Sequence, residues 1–192
     1  MSRRLATCVL ALALASCTSA PESTEAPHAA ESASTVTARP AAARADVKTL
    51  HYEIEIAAPV ERVWSTMLSD AGYRHWTSPF MTGSYFEGSW AEGARMRFLA
   101  PGGSGMVAEI AANRPREFLS IRHLGYVMNG VEDTTSEGVT SWAPAYENYR
   151  FESVPGGTRV TIEQDVLAGF EAYMDAAWPR ALAALAQICE DE

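Results

Sequence analysis

The last stretch of the chain does most to limit what it can fold into. Phe170, Tyr173, Met174, Ala177, Trp178, Ala181, Leu182, Leu185 and Ile188 recur at three- and four-residue steps, which on an α-helix lays them along one stripe. A stripe this long and apolar must be covered by another layer. Cys189, near its end, reads as a small core residue. Pro179, inside it, is expected to bend the helix.

The covering layer is written upstream as alternation. Leu50, Tyr52, Ile54 and Ile56 fall on one side and His51, Glu53 and Glu55 on the other, the pattern of a half-buried strand. Pro59 then opens a helix with Val60, Val63, Trp64, Met67 and Leu68 at helical spacing, and Asp70 is placed to cap a second short helix ending at Trp76. Strand-like segments follow at residues 84–90, 94–100, 106–112, 118–127, 145–154 and 158–166. Glu92-Gly93, Pro101-Gly102-Gly103, Asn113-Arg114-Pro115 and Pro155-Gly156-Gly157 separate most of them. The spacing predicts an antiparallel meander. Residues 128–144 are too long for a hairpin turn and are expected to form a lid or an excursion over the sheet edge. The element order gives an α+β domain over residues 46–192, in which a curved sheet wraps the final helix.

The chain ahead of this domain has another character. Arg3 and Arg4 precede an apolar run from Leu5 to Ala15, the layout of a secretory signal over residues 1–16. That run is too short to span a bilayer. Leu14-Ala15-Ser16-Cys17 resembles the lipobox of bacterial lipoproteins, which implies cleavage before Cys17 and acylation of its thiol. An ordinary signal peptide cut after Ala20 is the alternative, but Pro21 would then follow the cut, a poor context. Residues 17–45 are rich in alanine, serine, threonine, proline and glutamate without an aromatic residue, so they read as a disordered tether. The expected product is an exported lipoprotein, held on a membrane by its acyl chains and facing the periplasm or cell exterior.

Composition removes some partners. The net charge is −9, from 15 basic and 24 acidic residues, and no stretch concentrates the arginines, so nucleic acid is not an expected partner. Of the three cysteines, Cys8 and Cys17 lie near the start, leaving Cys189 without a disulfide partner in the domain. Gly103-Ser104-Gly105-Met106-Val107-Ala108 fits a dinucleotide fingerprint only formally. The residues after it alternate as a strand and open no helix, so a hairpin turn is the better reading. No metal site or organic cofactor is expected.

The element order, together with Trp142, Glu147-Asn148-Tyr149, Gly156-Gly157-Thr158 and Trp178-Pro179, resembles the SRPBCC superfamily of START-like, helix-grip proteins. Within it the chain is similar to the branch of activator of heat-shock protein 90 ATPase homologues, over about residues 47–192. The resemblance implies a hydrophobic cavity between sheet and long helix. It does not imply a particular activity, because this fold hosts lipid binders, cyclases, hydrolases and co-chaperones.

Period-two alternation singles out two ionisable residues. In 145–154, Glu147 shares a face with Tyr149 and Phe151; in 118–127, His123 shares one with Leu119 and Ile121. If the two strands are neighbours, an imidazole and a carboxylate meet inside an apolar cavity. Each other, Tyr149 or Gln164 would then partner them. They can form a structural network, anchor a ligand or exchange protons. Trp76, Met96, Phe98, Tyr149, Tyr173, Met174 and Trp178 are the expected lining, with His123 and Glu147 as the polar contacts. The leading expectation is a membrane-tethered module binding an apolar or amphipathic small molecule. A cyclase- or hydrolase-like enzyme using His123 and Glu147, and a co-chaperone-like interaction module, are the alternatives.

Overall fold

A computed structural model describes residues 45–191. The expected leader, the acylation site at Cys17 and nearly all of the tether lie outside the described residues. β1 (Val47–Ile56) leads into α1 (Val60–Leu68) and α2 (Asp70–Trp76). Then come β2 (Tyr85–Gly88), β3 (Arg95–Leu99), β4 (Gly105–Arg114), β5 (Phe118–Met128) and β6 (Val131–Asp133). α3 (Glu137–Thr140), β7 (Ala145–Val154), β8 (Gly157–Leu167) and α4 (Glu171–Glu190) complete the domain. The fold is α+β, a helix grip.

The strands pair antiparallel in the order β1-β8-β7-β5-β4-β3-β2. α1 and α2 carry the chain from one sheet edge to the other, and the later strands return as the expected meander until β8 meets β1. One face of the sheet packs on α4, where Ala177, Trp178, Ala181, Leu182, Leu185 and Cys189 are buried. Pro179 stands on the exposed side of α4, where water can meet the carbonyl that its missing N–H leaves unpaired. Phe170 and Tyr173 depart from the expected stripe. Phe170 is the N-cap and Tyr173 lies in the first turn; they are 53% and 47% exposed, and each borders a pocket beside the sheet.

Two local expectations are corrected. The cap of α2 is Ser69, whose hydroxyl accepts from Gly72 N–H at 3.0 Å, while Asp70 sits in the first turn and pairs with Arg74 at 2.8 Å. Residues 128–144 do begin with a hairpin. Asn129 and Gly130 both have positive φ, 52° and 78°, the requirement of a tight two-residue turn, and β6 folds back onto the end of β5. Gly125 permits this approach, since a Cβ there would lie 2.0 Å from the Asp133 carbonyl oxygen.

The rest of the excursion packs its apolar side chains against the sheet. α3 is capped by Ser136 and buries Val139, and Trp142 and Ala145 complete a small cluster with Tyr126, Met106, Val47 and Leu167. The Trp142 and Tyr126 rings lie 5.2 Å apart. No helix among the described residues is long and apolar enough to cross a membrane.

Candidate functional site

β5, β7 and β8 lie side by side, and the site grows from their register. Glu147 on β7 stands directly opposite Gln164 on β8. On its other flank it faces Ile121, with His123 one diagonal step away. The expected inward phase of both strands is therefore correct, and all three expected partners are present. Gln164 Nε2 donates to Glu147 Oε2 at 2.8 Å, the Tyr149 hydroxyl donates to Oε1, and His123 Nε2 lies 3.4 Å from Oε2. The Trp178 indole N–H donates to Gln164 Oε1 at 2.8 Å, which fixes the orientation of the amide and ties the network to α4.

Electrostatics follow from these bonds. Burial pushes the Glu147 carboxyl up, but hydrogen bonds from His123, Tyr149 and Gln164 and the attraction of His123 outweigh it and hold the group below its ordinary value. Its side chain is only 14% exposed. An ionised carboxylate can only accept, so the shared hydrogen belongs to His123 Nε2. Burial and the neighbouring Glu147 charge raise the hydroxyls of Tyr149 and Tyr73, which remain neutral.

Around the network lie two adjoining lobes of open space, each about 200 Å³. Met106, His123, Glu147, Gln164 and Met174 border both lobes, so the polar network stands at the boundary between them. Trp76, Phe98, Tyr149, Tyr173 and Trp178 join it on the first lobe. Aromatic rings meet along its wall: Trp178 stacks with Trp76 at 6.1 Å, meets Phe80 edge-on at 4.9 Å and lies 6.1 Å from Tyr149. Tyr173 serves from the rim, where its hydroxyl donates to the Phe80 carbonyl and links α4 to the loop after α2.

One expected lining residue is displaced. Met96 is fully enclosed in the core and borders neither lobe. It packs beside Gly88, where a Cβ would approach its sulfur to 2.8 Å, so the absent side chain makes the room Met96 fills.

The second lobe was missed by sequence reasoning. Its walls include Trp142, Tyr126, Val47, Leu167 and the exposed Phe170. Tyr126 and His123 are three residues apart yet both line it. The β4–β5 pairing explains this by slipping one register, with Val107 opposite Gly125 but Ala108 opposite His123. Among the described residues no group of three His, Cys, Asp or Glu side chains could hold a metal ion.

Residues 57–190 match the family described as Activator of Hsp90 ATPase homolog 1-like protein. The chain belongs to that family. A protein from Mesorhizobium loti has the same fold at 20% identity and a TM-score of 0.58, over 75% of this chain and 98% of its own. The Aha1 dimer from Colwellia psychrerythraea gives 19% identity and a TM-score of 0.58, over 74% and 96%. CalU16 from Micromonospora echinospora gives 17% and 0.52, over 74% of each chain. No curated protein matches the chain. At these identities the solved structures show the family's fold alone.

Proposed function

We propose that this member of the family is a membrane-tethered binding module that holds an apolar or amphipathic small molecule between sheet and α4. The observation that carries the reading is the pair of adjoining lobes, aromatic along the walls of the first and polar at Glu147, His123 and Gln164 where they meet. The aromatic wall contributes apolar contact, and the network fixes the orientation of a polar group. Acylation at Cys17 and the tether would present this cavity a few nanometres from a bilayer, a source of such molecules.

An enzyme moving protons between His123 and Glu147 is the second reading, favoured by their 3.4 Å separation. Against it, Glu147 is engaged by three donors and held below its ordinary value, which makes it a weak base at neutral pH. Co-chaperone action fits poorly with export, since an ATP-dependent chaperone partner belongs to the cytoplasm.

Native mass spectrometry of the full chain purified without detergent tests the proposal. A retained small molecule, extractable into organic solvent, is the expected result. A bare polypeptide that also fails to take up added apolar compounds contradicts it.

A further inference from the structure

Strand register decides which termini of the sheet share an end. Val47 faces Leu167, Glu147 faces Gln164, Ala145 faces His123, Gly105 faces both Val127 and Leu99, and Tyr85 faces Leu99. The starts of β1, β7, β4 and β2 therefore lie together with the ends of β8, β5 and β3. Six large apolar side chains are exposed among the described residues: Met81, Met128, Val131, Tyr146, Phe170 and Tyr173. All of them belong to this one end. Tyr146 is the second residue of β7, Met128 closes β5 and pairs with Val131 across the hairpin, and Met81 lies four residues before β2. Phe170 follows the last residue of β8 by three and caps α4, and Tyr173, through the Phe80 carbonyl, ties the start of α4 to the residue before Met81. The opposite end, with the turns at Pro115 and Pro155-Gly156 and the last turn of α4, carries none of the six. Scattered apolar residues need no explanation on a surface, but their gathering at one end does.

The same end is where the lobes and the chain reach the surface. Tyr173 borders the first lobe and Phe170 the second. Ala45, the first described residue, donates its N–H to the Ser141 carbonyl at 2.9 Å and packs beside Val139 and Trp142. The chain toward Cys17 thus leaves the domain from the apolar end. Attraction there is not electrostatic, since Lys48 is engaged by Glu171 and the protein carries a net charge of −9. Aromatic and methionine side chains instead suit the boundary between headgroups and acyl chains. Resting on the lipoprotein reading above, we propose that this end is a lipid-docking surface: the domain seats on the bilayer that anchors Cys17, with Phe170, Tyr173, Met81 and the Met128–Val131 hairpin entering the interface. An apolar ligand then passes between acyl chains and the lobes without crossing water.

The test uses the acylated full chain in phosphatidylcholine vesicles, with a nitroxide attached at Met81→Cys, at Val131→Cys or, on the opposite end, at Glu117→Cys. Native thiols do not compete, because Cys189 is buried and the lipoprotein reading removes Cys8 and blocks Cys17. Power-saturation EPR should find the labels at Met81 and Val131 open to oxygen and shielded from a water-soluble nickel chelate, and the label at Glu117 open to the chelate. Combining Phe170→Glu with Met128→Glu should return chelate access at Met81, since a charged group resists entering the interface. Equal chelate access at both ends of vesicle-bound protein overturns the docking and leaves the anchor and the lobes as read. Shielding that persists with both glutamates overturns it as well. So does shielding from oxygen and chelate alike with dipolar broadening between labels, which assigns the surface to a second copy of the chain. A chain that stays off the vesicles contradicts the lipoprotein reading and the docking with it.

Discussion

Glu147 and Gln164 face each other across β7 and β8 with 2.8 Å between carboxylate and amide, and the same amide accepts the Trp178 N–H from α4. The link joins the sheet to the helix it grips through the interior of the cavity. It makes one residue, Gln164, responsible for both the carboxylate's position and the anchoring of the largest fully buried side chain.

Replacing Gln164 by leucine should therefore be costly although it adds apolar surface. The Trp178 N–H would lose its acceptor and Glu147 Oε2 would keep only His123 of its two donors, a penalty of about 1–3 kcal/mol. Urea unfolding of the variant against wild type measures it, and a change below 1 kcal/mol would mean that water or a rearranged side chain replaces the amide.

Acid should act through Glu147. Its folded pKa lies below the ordinary 4.5, so its stabilising effect is complete above that value and disappears as pH falls through the lowered folded value. The wild-type protein should lose stability relative to Glu147→Gln on titration downward from pH 4.5. Unfolding curves of the two proteins across that range check the sign. Curves that stay parallel would show a carboxyl with no preference between states.

Much of the site was readable because strands obey a strict period. The segment 145–154 has the boundaries expected of it, and counting by twos turned both Glu147 and His123 inward. The same rule concealed the second lobe. A one-residue slip between His123 and Gly125 shifts the phase, and Tyr126 then lines the lobe with His123 although odd spacing separates them. The Asn129-Gly130 signal was present in the sequence, but the length of residues 128–144 hid a two-residue turn inside a longer connection. Met96 followed the inward phase correctly. Its enclosure depends on the missing side chain of Gly88 on the neighbouring strand, which alternation does not register.

Access to the first lobe should depend on Tyr173. Its hydroxyl holds the Phe80 carbonyl at the rim, and the side chain is half exposed, so Tyr173→Phe should change stability by only about 0.5–1.5 kcal/mol, the worth of one hydrogen bond. Association and dissociation of N-phenyl-1-naphthylamine, followed by stopped-flow fluorescence, should both accelerate with little change in affinity. Unchanged rates would show that entry lies elsewhere.

The N-terminal expectation has its own test. Cys17→Ala should release the protein from membranes or block its processing, while the wild-type chain starts at an acylated Cys17. A wild-type protein that is unmodified and begins after Ala20 contradicts the lipoprotein reading.

Binding inside the grip is the central claim, and equilibrium titration with N-phenyl-1-naphthylamine, a neutral dye that brightens in apolar surroundings, addresses it most directly when wild type and Phe98→Trp are compared. Phe98 borders the first lobe with its ring 6.0 Å from those of Tyr73 and His123, so the larger indole would occupy space a ligand needs. Saturable brightening in wild type and clearly weaker binding in an equally stable Phe98→Trp protein is the predicted result. No brightening, or the same curve for both proteins, would contradict it.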